Sequence, residues 1–378
     1  MVFTPLQSLV GGLLIGVAST AHLAFTGRIT GISGIVNGVR SQWTYGGKEN
    51  TQGKVSLSKA DAWRPAFVLG MLVSGMLLTY LFGAPIFFGD LATPAATDVP
   101  THVAMALGGF LVGFGTRMGS GCTSGHGVCG LPRLSKRSFA ATSVFMLTGV
   151  ATASLIDWSS SLQEVLRGVT PLSSEFAFSF GQIGGALSLL AAAVLLRKWL
   201  KLLRQGHESV LSTVVSGLVG LGFGAALGIA GMTDSSKVTA FLSPFSDNFD
   251  PSLMFVMGGA VVLNLATFAK IMAKPQAQGM SCDYPRLQEC KMSLPSVTQI
   301  TPALVLGSAI FGIGWGLGGV CPGPALVGLG SGVAAYWVYF FTFLVGQFVY
   351  DVLMRQFPVL KHKLFLEPAP VEYYAKEE

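Results

Sequence analysis

The sequence predicts an all-α integral membrane protein: about nine transmembrane helices, plus short broken or re-entrant helices, in two inverted pseudo-symmetric halves. Three observations predict it. Of 378 residues, 51% are hydrophobic and only 11% charged, against roughly 25% charged in a soluble domain; mean hydropathy is +0.60. Apolar runs near the length of a bilayer-crossing helix recur along the chain. A glycine-rich motif from the first half returns in the second. The 49 glycines fit helices that pack closely or break beside a cavity.

The apolar runs fall at about 6–26, 63–83, 101–118, 138–157, 175–196, 211–230, 253–272, 300–319 and 334–354. The first follows no basic residue and precedes no small-residue cleavage site, so it reads as a retained helix. With the N-terminus outside, the first cytoplasmic loop holds Arg28, Arg40, Lys48, Lys54, Lys59 and Arg64, and the second holds Arg117, Arg133, Lys136 and Arg137. The third holds Arg197, Lys198, Lys201 and Arg204, and the fourth Lys270, Lys274, Arg286 and Lys291. The cytoplasmic tail holds Arg355, Lys361, Lys363 and Lys376, leaving only Arg167 and Lys237 outside. This bias orients the chain as a multi-pass protein of the plasma or inner membrane. It also accounts for the net charge of +6 through contact with the bilayer rather than with nucleic acid.

Placing Cys122 over Cys321 aligns Gly113 with Gly312, Gly115 with Gly314 and Gly119 with Gly318. A weaker register aligns Gly16 with Gly220 and Gly27 with Gly231. Within one membrane domain spanning 1–378, this predicts a first repeat at 1–173, a connecting helix and loop at 174–205, a second repeat at 206–355 and a tail at 356–378. Four spans in each half and one between them make the halves enter the membrane from opposite sides. In such repeats the site lies at their interface near the midplane.

At GRITGISG, GCTSGHGVCG, GMTDSSK and CPGPALVGLG an apolar helix ends in glycine and polar residues follow. Irregular backbone at membrane depth is tolerated where protein or a wet cavity satisfies it. Pro322 suits a first helical position, and the free N–H groups there, at Gly323 and beyond, carry partial positive charge that attracts anions. The thiols of Cys122 and Cys321 are weak donors on polarizable sulfur, suited to a soft sulfur-bearing anion. Ser33, Ser120, Thr123 and Ser124 could donate further hydrogen bonds. Arg28 and Lys237 follow the first motif of each half and could either draw anions or anchor the interface. Asp234 reads first as a helix N-cap and second as a coupling-ion contact.

Cys129 has no counterpart, since Gly328 occupies the matching position. His126 could be a metal ligand, a proton carrier or a hydrogen-bonded loop residue. Cys122, His126 and Cys129 together offer three metal ligands, but the partner motif offers one, so no metal or cofactor is expected. A redox pair of Cys122 and Cys129 would lack the C-x-x-C spacing. Cys282 and Cys290 read as loop thiols in a reducing compartment.

GSGCTSGHGVCG, a later GGVCPGP, GISG near the start and GMTDSSKV before the second half together resemble the YeeE/YedE sulphur-transport family, over nearly the whole chain. The resemblance implies an hourglass-like nine-span fold and uptake of thiosulfate, passed between pathway cysteines by transient hydrogen bonds. It makes Cys122 and Cys321 the central relay, and a cytoplasmic sulfurtransferase or sulfur carrier the recipient. Thiosulfate transporters carry a further cysteine near the entrance, where this chain has Ser19, Ala21 and His22. The expected function is therefore a non-enzymatic uptake permease for a small sulfur-containing anion, thiosulfate foremost. The alternatives are a thiol–disulfide carrier, a transporter of another sulfur or selenium compound, and a passive channel or sulfur-handling scaffold. No nucleotide-binding motif accompanies these residues.

Overall fold

The computed structural model describes residues 3–44, 48–49, 55–56, 62–92, 99–158, 210–272 and 301–357, with short pieces at 190, 192–196, 285, 287, 292–295, 297–300 and 363–365. It is helical apart from a two-residue antiparallel pairing of Lys48–Glu49 with Val55–Ser56. We number the helices α1 (Pro5–Thr26), α2 (Ile32–Thr44), α3 (Trp63–Phe82), α4 (Ala84–Phe88), α5 (Val99–Met118) and α6 (Lys136–Trp158). After them come α7 (Val210–Ile229), α8 (Ser235–Leu242), α9 (Ser252–Met272), α10 (Pro302–Gly318), α11 (Pro322–Ser331) and α12 (Ala334–Gln356). A π-helical turn, Thr123–Val128, stands between α5 and α6. Among the described residues, 7 segments are long and apolar enough to cross a membrane; in one, Pro302–Ser331, the helix is broken between α10 and α11. The run expected at 175–196 lies largely outside the described residues, as do Cys282 and Cys290.

One local order occurs four times: long helix, break, short segment, long helix. Each long helix stops at a residue with left-handed backbone: Gly27 (φ 68°), Ser120 (φ 60°), Gly231 (φ 75°) and Gly319 (φ 63°). Gly27 and Gly319 donate their amides back to Leu23 and Trp315, satisfying carbonyls that the helix end would otherwise leave orphaned. Glycine takes this conformation without a Cβ penalty. Ser120 is the exception, held between Gly119 and Gly121. The short segments then begin: α2, the π-turn, α8 and α11. As expected, Asp234 caps α8, accepting from the Ser236 amide at 3.0 Å.

The principal helix contacts run between the two halves of the chain. α1 packs on α7 and α9, α3 on α7, α5 on α10 and α12, and α6 on α10. Exchanging α1 with α7, α3 with α9, α5 with α10 and α6 with α12 returns the same set of pairs. Lipid offers helices no hydrophobic incentive to associate, so close packing of small residues must do it. A Cβ on Gly75 of α3 would sit 1.9 Å from the Val327 carbonyl of α11, and one on Gly113 of α5 would sit 2.0 Å from that of Phe343 on α12. At one end of the bundle, Asp351 of α12 pairs with Arg40 of α2 and, at 2.7 Å, with Arg117 of α5.

Candidate functional site

The four breaks bring the short segments together in the middle of the bundle. Cys122 immediately precedes the π-turn and Cys321 immediately precedes α11, so both cysteines occupy the position before a short helix. Both are extended in backbone and buried, at 1% and 2% exposure. Thr123 donates its hydroxyl to the Cys321 sulfur at 3.5 Å, which links the two motifs directly. The Cys122 thiol and the Ser124 hydroxyl lie 3.2 Å apart. Ser124 Oγ in turn accepts the Ile32 amide, at the start of α2, at 3.0 Å. Two thiols, two hydroxyls and the starts of α2 and α11 thus line up as a chain of contacts around the π-turn.

Beside this chain lies a cavity of about 20 Å³, room for about one water molecule. Thr123, Ser124, Gly323 and Pro324 contribute to its wall, with apolar residues from α1, α2, α7 and α9. The wall holds no charged residue. Cys122 sits one position before the lining Thr123 and Cys321 two positions before the lining Gly323, and Pro322 starts α11, the helix end that faces the cavity.

A far larger vestibule of about 1150 Å³ opens on one side. Gly31, Ser33, Ser120 and Gly125 line it, as do Arg28, Arg64, Arg133, Lys136 and Arg137. Alternate residues of two segments therefore face two cavities: Gly31 and Ser33 the vestibule, Ile32 the centre; Gly125 the vestibule, Ser124 the centre. The hydrogen bond from Ile32 to Ser124 is the neck between them. Gly31 and Gly125 face each other there, each within 3.8 Å of where the other's Cβ would stand. Ser293, Pro295, Val297, Thr298 and Gln299 add to the vestibule wall, and the Ser293 amide donates to the Gly27 carbonyl at 2.8 Å. Three loops that the charge pattern predicts on one membrane face meet in this vestibule.

The remaining predicted residues divide. His126 Nδ1 lies 3.2 Å from the Ser138 hydroxyl and Nε2 3.2 Å from the Gly119 carbonyl. Both ring nitrogens are thus engaged, with Nε2 the donor, and the ring braces the loop rather than converging on Cys122 and Cys129. Among the described residues, no group of three His, Cys, Asp or Glu is placed to hold a metal. Burial lowers the His126 imidazole to about 4 against the upward pull of its bond to Gly119, so it is neutral at ordinary pH. The Cys129 thiol rests against the Thr30 carbonyl at 3.8 Å and beside Ser19. Burial pushes it up to about 11, away from the reactive thiolate. Arg28 lies under the vestibule, stacked at 4.7 Å on Trp63. Lys237 is elsewhere, donating to the Thr4 hydroxyl at 2.7 Å. Ile32, Phe223 and Met257, which help close the centre, carried no sequence signal beyond being apolar.

These features define a polytopic membrane transporter. A family described as sulphur transport matches residues 1–152, and one described as a family of unknown function, DUF6691, matches residues 211–361. A probable transporter of Xylella fastidiosa (strain Temecula1 / ATCC 700964) is 36% identical over 148 residues, 39% of this chain and 92% of that protein. A probable transporter of Xylella fastidiosa (strain 9a5c) is 34% identical over 148 residues, with the same coverage of 39% and 92%. The chain belongs to the YeeE/YedE sulphur-transport family.

Proposed function

We propose that this protein is an uptake permease for a small sulfur-containing anion, thiosulfate foremost, handed through its centre by the Cys122 and Cys321 thiols. The observation that supports this reading is the Thr123–Cys321 hydrogen bond, which joins the two cysteine motifs where two short helices begin, next to one uncharged cavity. Weak thiol and hydroxyl donors can bind a soft anion and release it, as conduction requires. The start of α11 supplies partial positive charge without a buried cation. The resemblance to thiosulfate transporters implies an entrance cysteine in the first motif, which this chain lacks; here the Cys129 thiol comes to rest against that motif at Thr30. Inverted repeats are supported by the exchange-symmetric packing and by left-handed residues at all four breaks. The charge pattern supports an N-terminus outside and a cytoplasmic tail. A cytoplasmic sulfurtransferase or sulfur carrier would then receive the substrate. The redox alternative fares worse: the Cys122 and Cys129 sulfurs have different partners.

The test is uptake of labelled thiosulfate by cells that depend on it for sulfur. Cys122→Ala and Cys321→Ala are each expected to cut the rate about tenfold or more, a change of ~1.4 kcal/mol in the barrier. If either variant reaches the membrane and transports at the wild-type rate, the relay is wrong. Sulfate, sulfite and selenium analogues as competitors define the substrate.

A further inference from the structure

The vestibule differs from the centre in kind as well as size. Its described wall carries Arg133, Lys136 and Arg137 and no carboxylate. Arg133 Nε donates to the Cys129 carbonyl at 3.0 Å and Arg137 Nη1 to the Gln299 carbonyl at 2.8 Å. Each guanidinium thus spends an N–H on a neutral backbone group that holds it in place, and no carboxylate among the described residues of this wall compensates its charge. A guanidinium has five donors in a planar fork, so most remain for a ligand. Arg137 is 9% exposed and Arg133 half-buried, a costly arrangement for cations unless an anion joins them. Burial accordingly lowers the Arg133 pKa from its ordinary value. The hydroxyl-bearing Ser120 and Ser135 share the same wall.

We propose that the Arg133–Lys136–Arg137 wall is a separate binding site for a tetrahedral inorganic dianion, sulfate or hydrogen phosphate. Arginine forks match the oxygen edges of such ions. The central cavity has no cation and about 20 Å³ of space, so a hard dianion held in the vestibule finds no equivalent partner beyond the Ile32–Ser124 neck. The binding stands independently of the transport reading. Its consequence, that the bound dianion obstructs flux through this mouth, rests on that reading.

The experiment is calorimetric titration of the purified full chain with sodium sulfate and, separately, sodium phosphate, at fixed ionic strength, with nitrate as a planar monovalent control. Sulfate or phosphate should bind, the tighter of the two naming the occupant, and nitrate at least tenfold more weakly. R133Q and R137Q should each weaken binding about tenfold, while C122A should retain it, which separates this site from the cysteine pathway. A second measurement needs no variant: the bound dianion should protect Arg133 and Arg137 of the wild type from phenylglyoxal, read by mass spectrometry. Absence of sulfate and phosphate binding, nitrate binding as tight as sulfate, or unprotected arginines at saturation each overturns the proposal.

Discussion

At the scale of single residues, the site mixes groups that touch the pathway with groups that hold it open. His126 belongs to the second kind. Its folded pKa lies below its unfolded value, so its contribution to stability is complete above about pH 6.5 and is lost as pH falls towards 4. His126→Gln removes that titration. The gap in thermal midpoint between wild type and variant should therefore shrink between pH 7 and pH 4.5; a constant gap would show that the ring does not titrate on unfolding. The residue types of the site were legible in the sequence because glycine, cysteine and hydroxyl side chains cluster so densely in GSGCTSGHGVCG. The partners were not. Spacing says nothing of whether His126 turns towards Cys122 or towards Ser138, because a loop side chain's direction depends on contacts far along the chain.

At the scale of elements, the breaks matter more than the helices. The helix runs that fall on the described residues were readable to within a few residues from hydropathy, because bilayer thickness fixes their length. The short elements were harder. α2 extends to Thr44, well past the polar motif that announces it, and the π-turn has no periodic signature. The left-handed break was readable where it is glycine and hidden at Ser120. That hidden case yields a paired expectation. Ser120→Gly relieves a strained φ and should raise the thermal midpoint by the equivalent of about 1 kcal/mol. Gly319→Ala puts a Cβ 2.7 Å from the Ser235 carbonyl in left-handed backbone, and should cost about 1–3 kcal/mol. If both substitutions are neutral, the two breaks are not constrained as described.

At the scale of the whole molecule, the halves are not side-by-side domains. With the main helix pairs all crossing from one half to the other, neither half has a core of its own among the described residues. Co-expressed fragments 1–205 and 206–378 should therefore assemble and co-purify, whereas each alone should be degraded or aggregate. Two fragments that are each stable and monodisperse alone would contradict the interleaved packing. An internal repeat could be suspected from aligned glycines, but not which helix would meet which; that is settled by three-dimensional closure, which no alignment of the chain with itself contains.

The same interleaving sets a schedule for synthesis. α1 and α3 find their partner only when α7 emerges, which begins at Val210. At ribosomal speeds of roughly 5–20 residues per second, that is on the order of 10–40 s after α1 is made. Throughout that interval the glycine-lined grooves of the first half face lipid, and α2, too short to cross the bilayer, has no neighbour from the second half to cover it. Nascent chains stalled between α6 and α7 would be the form most exposed to the membrane's proteases and insertion chaperones.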